Sequence, residues 1–453
     1  MIAGITEKEQ KIIERILDKY RKDYAFFYYG SRVKGTYEKT SDLDILVKGK
    51  AEMPSAVLQG IKEEFDNSDL PYIVNFSDYY KLDGSFYKRI KPDLIPYNWQ
   101  EVKLGDVLSF RYGKMPNKNK ILSKGKYPIF TGYRYAGFYD EYNIEKNQLI
   151  IVARGVGGTG DVKLSKEQCF LTNLSIASSL KTRQVDVKYL FYYFTLHSLR
   201  YLDSGSAQSQ ITINDLEKII IYLPPLDIQK KIAGVLGALD DKIELNNKIN
   251  QNLEAQAQAL FKSWFIDFEP FGGKMPNDWK IGKLGDIADI TSGKRPLFKS
   301  NIKTSNTLIP IVGASGVMGY TKEYLYNNKI LVTGRVGTHG IIQRFNKTCW
   351  PSDNTLIISS NFYEYVYNYL KIIDFSSMNR GSTQPLITQS DLKKCDIIIP
   401  SRLFLDKFEK NVSILFDLKD KNTQEIENLA ELRDTLLPKL MNGEIDVDNV
   451  KID

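Results

Sequence analysis

The chain has 453 residues, enough for roughly two to four domains, and its 42% hydrophobic and 26% charged residues are typical of a globular protein. Its net charge of +7, from 62 Lys+Arg against 55 Asp+Glu, permits an anionic partner such as nucleic acid but does not require one. No apolar run approaches ~18 residues, and no signal-peptide core follows the N-terminus. The three cysteines and two histidines lack metal-ligand spacing. We therefore expect a soluble cytoplasmic protein without a membrane partner or a disulfide framework.

The first ninety residues predict a small α/β domain. Thr6-x-x-Glu9 is a capping box, which predicts a helix that continues to about Tyr20. The run "YAFFYYG" (24–30) is apolar and aromatic and predicts a buried strand. After a short helix, "DLDILV" (42–47) predicts a second strand.

A turn and two acidic residues form the chemical motif of this domain. Gly30-Ser31 follows the first strand and can bring backbone N–H groups to a phosphate. Asp42 and Asp44 are two residues apart on a strand, so both carboxylates project from one face and can hold a divalent metal ion. The pattern therefore predicts a site for a phosphate and a metal ion such as Mg²⁺.

This motif resembles that of the DNA polymerase beta-like minimal nucleotidyltransferases, over residues 1–92. The resemblance rests on Gly30-Ser31, Gly35 and Ser41-Asp42-Leu43-Asp44. It implies that the Gly-Ser turn holds a nucleotide triphosphate and that three carboxylates hold two metal ions. The third position falls in the predicted strand "LPYIVNF" and is Asn75, a neutral and weaker ligand. We therefore expect the family's fold with a disabled or altered site, and metal or nucleotide at Asp42 and Asp44 only if that site is intact.

The rest of the chain contains an internal repeat. "WQEVKLGDVLSFRYGK" (99–114) matches "WKIGKLGDIADITSGK" (279–294) at an offset of 180, and "GSAQSQITINDL" (205–216) matches "GSTQPLITQSDL" (381–392) at an offset of 176. So long a unit indicates a duplicated domain rather than a solenoid. Thr212 and Thr388, each three residues before an aspartate, predict matching capping boxes.

Each copy ends in a helical pattern in which the residues at every seventh position are apolar, except for one asparagine. This spacing predicts a coiled-coil seam, and an asparagine at the same seam position of both copies would fix register and orientation. Ordinary amphipathic packing is the alternative. The seam residues are Ile232, Leu239, Asn246, Leu253 and Leu260 in the first helix and Phe408, Leu415, Asn422, Leu429 and Leu436 in the second.

The predicted architecture is multidomain, of the α/β and α+β classes. A small nucleotidyltransferase-like α/β domain precedes two repeated mixed α/β domains, which are separated by long antiparallel coiled-coil helices. A helix of about 36 residues spans roughly 54 Å, on the order of 15 base pairs, and would suit the reading of two separated half-sites. The predicted boundaries are 1–92, 96–225, 226–265, 276–400 and 401–442.

Over about residues 96–445 the chain resembles the specificity (S) subunit of type I restriction–modification systems. The resemblance rests on the paired "KLGD" openings, the "GS-Q--IT--DL" segments and the helix start "PPLDIQKKIAGVLGALDDKI" (224–243). It implies two target-recognition domains that each read half of a split, asymmetric site in double-stranded DNA. It also implies long helices that bind two methyltransferase (M) subunits, with restriction (R) subunits joining them. S-adenosylmethionine and ATP would bind those partners, and this chain would hold no cofactor of its own.

Basic residues interleaved with aromatic ones are the candidate DNA contacts, because lysine suits phosphates and arginine can reach base edges. Each is alternatively a solvated surface charge. The segments "RGVGGTG" (154–160) and "GRVGTHG" (334–340) are interpreted as turns between strands rather than phosphate loops, with His339 an ordinary histidine. The candidates are Lys114, Lys118, Lys120, Arg134, Arg154, Lys294, Arg295 and Arg335.

Two classes of function follow. The first is a non-catalytic subunit that recognises DNA and scaffolds a complex for DNA methylation and defence against foreign DNA, with subunit-interface helices marked by Ile232, Leu239, Asn246, Leu253, Phe408, Leu415, Asn422 and Leu429. The alternative is an active nucleotidyltransferase, or a nucleotide-sensing or antitoxin-like module, that the repeats deliver to DNA. The residue type at position 75 discriminates between them.

Overall fold

The structure, a computed structural model, describes residues 4–132, 134–155, 158–203, 210–336, 340–378 and 386–450. The chain divides into two compact units, one of residues 1–242 and 428–453 and one of residues 243–427. The first unit holds the N-terminal domain and the first repeat, and the second unit holds the second repeat. None of the helices in the described ranges combines the length and apolarity that crossing a bilayer requires.

The N-terminal domain is a four-stranded sheet with helices on both faces. Its elements are α1 (Glu7–Leu17), β1 (Ala25–Tyr29), α2 (Ser31–Lys34), β2 (Leu43–Lys48), α3 (Ser55–Asp66), β3 (Val74–Asp78), α4 (Gly84–Ile90) and β4 (Ile95–Pro96). The strand order is β3-β2-β1-β4, with β2 and β3 parallel. Thr6 forms the predicted capping box, although α1 ends at Leu17 rather than near Tyr20.

The sheet of this domain extends beyond the predicted boundary at residue 92. Strand β4 pairs antiparallel with β1, and the Tyr97 N–H donates to the Phe26 carbonyl at 3.2 Å. The C-terminal segment of the chain also contacts this sheet, since Lys48 at the end of β2 forms an ion pair of 3.3 Å with Glu444. The segment between the N-terminal domain and the first repeat therefore contains a strand of this sheet, which the sequence did not predict because two paired residues carry too little pattern.

The two repeats are built from matching elements. The first contains β5 (Gln100–Lys103), α5 (Leu104–Val107), β6 (Leu108–Tyr112), β7 (Tyr127–Thr131), β8 (Arg134–Tyr139), β9 (Leu149–Val152), β10 (Val162–Leu164), β11 (Phe170–Leu171), β12 (Ser175–Leu180), α6 (Val187–Leu196), α7 (Ile213–Glu217) and β13 (Ile220–Leu223), followed by α8 (Leu226–Phe265). The second contains β14 (Lys280–Lys283), β15 (Asp289–Ser292), β16 (Ile309–Val312), β17 (Val317–Thr321), β18 (Ile330–Gly334), β19 (Gln343–Phe345), β20 (Trp350–Pro351), β21 (Thr355–Ser359), α9 (Tyr363–Leu370), α10 (Gln389–Lys393) and β22 (Asp396–Ile399), followed by α11 (Arg402–Met441).

Each repeat has the same three sheets. A four-stranded antiparallel sheet has the order β10-β9-β12-β6 in the first repeat and β19-β18-β21-β15 in the second. A three-stranded sheet, β11-β7-β8 or β20-β16-β17, and a two-stranded sheet, β13-β5 or β22-β14, complete each copy. Thr212 and Thr388 form the two predicted capping boxes. The strand-by-strand match confirms the predicted domain duplication.

The aromatic helix of the first repeat packs into its core, as the sequence predicts for residues 189–202, although Tyr201 within that range is exposed. Helix α6 buries Tyr189, Tyr192 and Phe194. In the second repeat, Phe265 of α8 packs against Tyr365 and Phe408, with ring centroids 4.8 and 5.1 Å away. The long helices therefore contribute side chains to the core of the repeats as well as to each other.

The two long helices pair antiparallel within each unit. In the second unit, Asn246 donates to Glu425 at 2.9 Å and Asn422 donates to Asn250 at 3.1 Å, so residue numbers rise along one helix as they fall along the other. In the first unit, Arg433 donates to Asp240 at 2.7 Å. The two seam asparagines do not bond to each other, because the antiparallel register places each opposite a different polar residue.

A half-buried glutamate of α11, Glu409, supports the start of α9 and is expected to make stability depend on pH. The Glu409 carboxylate accepts the N–H groups of Glu364 and Tyr365 at 3.1 and 2.8 Å. Burial raises the pKa of Glu409 from its ordinary 4.5 to about 7, and the nearby Glu364 charge adds to this, while the two N–H groups and Lys329 oppose it. The folded chain therefore binds more protons than the unfolded chain between these values, so stability falls as pH rises through this range.

We expect the urea midpoint of the second unit to decrease between pH 5 and pH 8, by the equivalent of about 1–3 kcal/mol. The measurement is tryptophan fluorescence, since Trp264, Trp279 and Trp350 all belong to this unit. The Glu409→Gln variant should show a flatter profile, whatever its absolute stability. Parallel profiles in the two proteins would contradict the assignment of this titration to Glu409.

Candidate functional site

The Gly-Ser turn of the N-terminal domain is held in a conformation that requires glycine. Gly30 has φ of +85°, and a Cβ atom there would lie 2.4 Å from the Asp44 Oδ2 atom. The buried Arg32 fixes the turn by donating to the carbonyls of Ser41 at 2.6 Å and Gly4 at 2.8 Å. The turn and the acidic strand are therefore in direct contact, as in the predicted motif.

The two aspartates project together, and Asn75 occupies the expected third position. Asp44 of β2 lies opposite Asn75 of β3 in the parallel pair. The Asn75 Nδ2 atom donates to Asp42 Oδ2 at 3.0 Å and to Asp44 Oδ1 at 3.4 Å. Burial raises the pKa of Asp44, the Asn75 hydrogen bond opposes the rise, and the charge of Asp42 adds to it.

These residues do not fit the pair of metal ions that the family resemblance implies. The third group is a neutral amide that directs its donor, not its oxygen, toward both carboxylates. Within the part of the chain that the structure describes, no group of three or more His, Cys, Asp or Glu side chains could hold a metal ion. The site retains the turn and two carboxylates without the full ligand set.

Three of the candidate DNA contacts in the first repeat converge on one edge of its four-stranded sheet. The backbone N–H of Lys114 donates to the Leu171 carbonyl at 2.9 Å, and the backbone N–H of Arg154 donates to the Leu174 carbonyl at 3.0 Å. Both residues therefore flank the segment that enters β12. Arg134 follows the turn at Gly132, whose carbonyl is 3.5 Å from the Ser175 Oγ atom. Lys114, Arg134 and Arg154 together form the first edge.

The second repeat has the equivalent edge, formed by Lys294, Arg295 and Arg335. The backbone N–H of Lys294 donates to the Pro351 carbonyl at 3.1 Å, and the backbone N–H of Arg335 donates to the Asn354 carbonyl at 2.8 Å. Both acceptors lie in the segment that precedes β21. A Cβ atom on Gly293 would lie 2.1 Å from Ser352 O, and one on Gly113 would lie 2.3 Å from Thr172 O. This close approach explains why a glycine precedes the lysine in both copies. Lys294, Arg295 and Arg335 together form the second edge.

Two lysine candidates are placed elsewhere. Lys118 and Lys120 lie in a short 3-10 helix beyond the first edge, and Lys120 forms an ion pair of 3.5 Å with Asp140. Both side chains of that pair are more than half exposed, so the pair contributes little to stability. Residues 154–160 follow β9 and residues 334–340 begin at the end of β18, but residues 156–157 and 337–339 lie outside the described residues, so the turns there stay a prediction. His339 lies outside the described residues.

The positive charge of the chain is concentrated beside the two edges, a signal that residue-by-residue inspection missed. Residues 107–139 contain seven basic residues and residues 290–322 contain five, and neither stretch contains an acidic residue. The remaining sequence therefore carries 50 basic against 55 acidic residues, so the net positive charge of the chain comes entirely from these two stretches. Such one-sign concentrations attract polyanions.

The predicted subunit-interface residues need a correction. Ile232, Leu239, Asn246, Leu253 and Phe408 are buried within the chain, and Leu415, Asn422 and Leu429 are half-buried. They are occupied in packing inside this chain because the seam is intramolecular, so another subunit would have to meet other side chains. Large apolar residues of the same helices are exposed instead, namely Leu245, Ile249, Ile414 and Leu418.

Comparison with known proteins identifies both parts of the chain. Residues 96–255 and 276–432 match the family described as "Type I restriction modification DNA specificity domain", and residues 9–101 match "Nucleotidyltransferase domain". "Type I restriction enzyme MjaIX specificity subunit" from Methanocaldococcus jannaschii is 27% identical over 415 residues, which is 79% of this chain and 95% of the relative.

Two further similarities agree with this division. "Probable protein adenylyltransferase MntA" from Haemophilus influenzae is 33% identical over 87 residues, which is 19% of this chain and 76% of the relative. The crystal structure of a type I restriction–modification S subunit from M. genitalium has a TM-score of 0.56 at 22% identity, covering 76% of this chain and 96% of that chain, and therefore shares the fold.

The predicted assignment to the specificity subunits, rather than to the enzymes they accompany, is confirmed by the specificity-domain matches and the named relatives. Those matches cover well over half of the residues. The chain belongs to the type I restriction–modification DNA specificity family and carries a nucleotidyltransferase domain at its N-terminus.

Proposed function

We propose that this specificity subunit binds double-stranded DNA through both repeats, and that each repeat reads one half of an interrupted site. The observation that carries the proposal is the acid-free basic stretch beside the same sheet edge in each repeat. Each lysine or arginine that reaches a phosphate releases condensed counterions, which supplies sequence-independent affinity. Arginines at the edges can also form paired hydrogen bonds with guanine.

The two half-sites are proposed to differ, because the two edges differ. The β7–β8 hairpin of the first repeat begins its second strand with Arg134. The corresponding β16–β17 hairpin turns through Gly313-Ala314-Ser315-Gly316, without a basic residue. The first repeat therefore has an arginine in a hairpin where the second repeat has none, so the recognised sequence would be asymmetric.

Two methyltransferase subunits, with restriction subunits joining them, are the proposed protein partners. The exposed Leu245, Ile249, Ile414 and Leu418 give the long helices apolar surface for such a partner. Leu245 and Ile249, like Ile414 and Leu418, are four positions apart in sequence, so each pair lies on one face of its helix. Exposed apolar residues on one helix face are suited to packing against another protein. S-adenosylmethionine and ATP would bind to those partners, and no cofactor is assigned to this chain.

The test is co-expression with a type I methyltransferase subunit, followed by mapping of methylated adenines on host DNA. We expect methylation at an asymmetric, interrupted motif only when this chain is present. Exchanging residues 96–225 for the corresponding domain of another specificity subunit should change one half of the motif and leave the other half unchanged. Methylation of a continuous palindrome, or a change in both halves, would contradict the proposal.

Nucleotidyl transfer by the N-terminal domain is the second candidate function, favoured by the retained contact between Gly30 and Asp44 and opposed by Asn75. We expect the unchanged chain to transfer little label from nucleoside triphosphates in Mg²⁺ to itself or to the methyltransferase. Asn75→Asp would supply the third carboxylate and raise transfer on the order of 10²-fold, since metal ions contribute several kcal/mol to phosphoryl transfer.

The control for this gain is Asn75→Asp combined with Asp42→Ala and Asp44→Ala, which should return transfer to background. Equal transfer by the unchanged chain and the Asn75→Asp variant, both well above the background of this control, would mean that Asn75 does not disable the site. In that case the N-terminal domain would be an active enzyme, and the chain would have two functions.

A further inference from the structure

Each acid-free stretch exposes large apolar side chains among its basic residues. Leu297 is 97% exposed and lies three residues after Lys294, and Met115 is 74% exposed directly after Lys114. Phe298, Ile302, Leu308, Val317 and Met318 of the second repeat are exposed as well. Exposed apolar groups that gather in one region of a surface usually mark a binding site.

The loop that carries Leu297 is fixed at both ends. At its start the Lys294 N–H donates to Pro351 O, and the Trp350 indole N–H donates to Lys294 O at 2.8 Å. At its end Ser300 and Tyr320 exchange two backbone hydrogen bonds of 2.8 Å, which attach the loop to β17. Only five residues separate these two points, and Pro296 further restricts the backbone. The Leu297 side chain is therefore presented to solvent on a rigid support.

The first repeat presents Met115 in a similar way. The Lys114 N–H is bonded to Leu171 O at 2.9 Å, and Leu122 and Phe138 exchange two backbone hydrogen bonds of 2.9 Å that attach the loop to β8. Pro116 follows Met115 as Pro296 precedes Leu297. Both repeats thus have an edge lysine, an exposed apolar residue and a proline at the start of an anchored loop, although at the offset of 180 Met115 aligns with Arg295 and Leu297 with Asn117.

We infer that Leu297 inserts between neighbouring base pairs of the DNA held at the second edge, and that Met115 does the same at the first edge. This inference rests on the proposed DNA-binding function. Lys294, Arg295 and Lys299 surround Leu297 without any acidic residue, so the groups beside the leucine attract phosphates. The faces of base pairs are the apolar surface that a duplex offers between its phosphates.

Insertion of this kind has a physical cost and a measurable result. An apolar side chain that enters a base step partly unstacks it, costs a few kcal/mol and bends the duplex by about 20–90°. The bend lets more of the basic stretch reach the backbone, which offsets the cost. Because flexible base steps unstack more easily, the inserted residue would also favour particular sequences at a position that no polar group reads.

The test uses the full chain in complex with its methyltransferase subunits and a duplex containing the mapped methylation site. 2-Aminopurine, which becomes more fluorescent when unstacked, replaces one base at a time across and beside each half-site. We expect one enhanced position in the second half-site that is lost in Leu297→Ala and kept in Leu297→Phe. Met115→Ala should remove the enhancement in the first half-site only, and each alanine variant should reduce the bend measured by energy transfer between the duplex ends.

Internal controls keep the outcomes apart. 2-Aminopurine at the adenine that becomes methylated reports base flipping by the methyltransferase and should stay bright in Leu297→Ala. Leu403→Ala removes a leucine that is 60% exposed outside the acid-free stretches and should change nothing. Because Leu297 is almost fully exposed, its replacement should not affect folding.

Several results would overturn the inference. Unchanged fluorescence and bending in Leu297→Ala would show that the side chain is not inserted. Loss of methyltransferase binding, with DNA binding unchanged, would show that this apolar surface serves a protein partner. If the complex methylates no site that depends on this chain, the proposed function fails first, and the inference fails with it.

Discussion

Replacing Lys114, Arg134 and Arg154 together by alanine is expected to weaken DNA binding by about 10²-fold at low salt, and to make the slope of log K against log salt less negative by about 2–3. The three residues lie around the segment that enters β12, so they can bind one stretch of backbone together. A phosphate that is no longer neutralised keeps its condensed counterions, and the slope reports how many phosphates the protein neutralises. Fluorescence anisotropy at several salt concentrations measures both quantities.

A matched control separates position from net charge. Lys22, Lys39 and Lys188 are exposed and lie outside both acid-free stretches, so their triple alanine variant loses the same charge elsewhere. It should bind DNA almost as the unchanged chain does. Equal weakening by both triple variants would mean that overall charge, rather than the first edge, attracts DNA. Lys294, Arg295 and Arg335 should behave like the first edge, with the loss confined to the other half-site.

Replacing Arg344 by methionine is expected to destabilise the second unit by about 3–5 kcal/mol, because it leaves the buried carboxylate of Glu364 without its charged partner. The Arg344 Nη2 atom donates to Glu364 Oε1 at 3.0 Å, and only 2% of the Glu364 side chain is exposed. The guanidinium also lies 3.6 Å from the ring centre of Phe416 on α11. The urea midpoint followed by tryptophan fluorescence would show the loss.

The double variant Arg344→Met with Glu364→Leu is the informative comparison. Replacing both members of a buried ion pair by apolar groups removes the stranded charge, so the double variant should recover most of the stability lost in the single one. Breaking the exposed pair Lys283–Asp396 should cost less than about 1 kcal/mol. If the double variant were as unstable as Arg344→Met, packing on Phe416 rather than charge would explain the loss.

Features with a short-range cause were predictable from the sequence. The capping boxes at Thr6, Thr212 and Thr388 depend on two residues three apart, and all three are present. Asp42, directly before β2, and Asp44, within β2, project together because side chains alternate along extended backbone. The position of Asn75 was predictable because the next strand, β3, pairs with β2 and places Asn75 opposite Asp44. The duplication was visible because both copies keep the same glycines and turn residues, which their close backbone approaches require.

Features that depend on contacts between distant segments were not predictable. Asn246 meets Glu425 rather than Asn422, because the antiparallel register is set by packing along both helices and not by either heptad pattern. Arg154 was a lone basic residue until the sheet order placed β9 and β6 on either side of β12, which brings it near Lys114. Burial likewise reassigned the seam residues from a subunit interface to the interior of the chain. Local propensity acts over a few residues, whereas register and burial arise from the free energy of the whole packed chain.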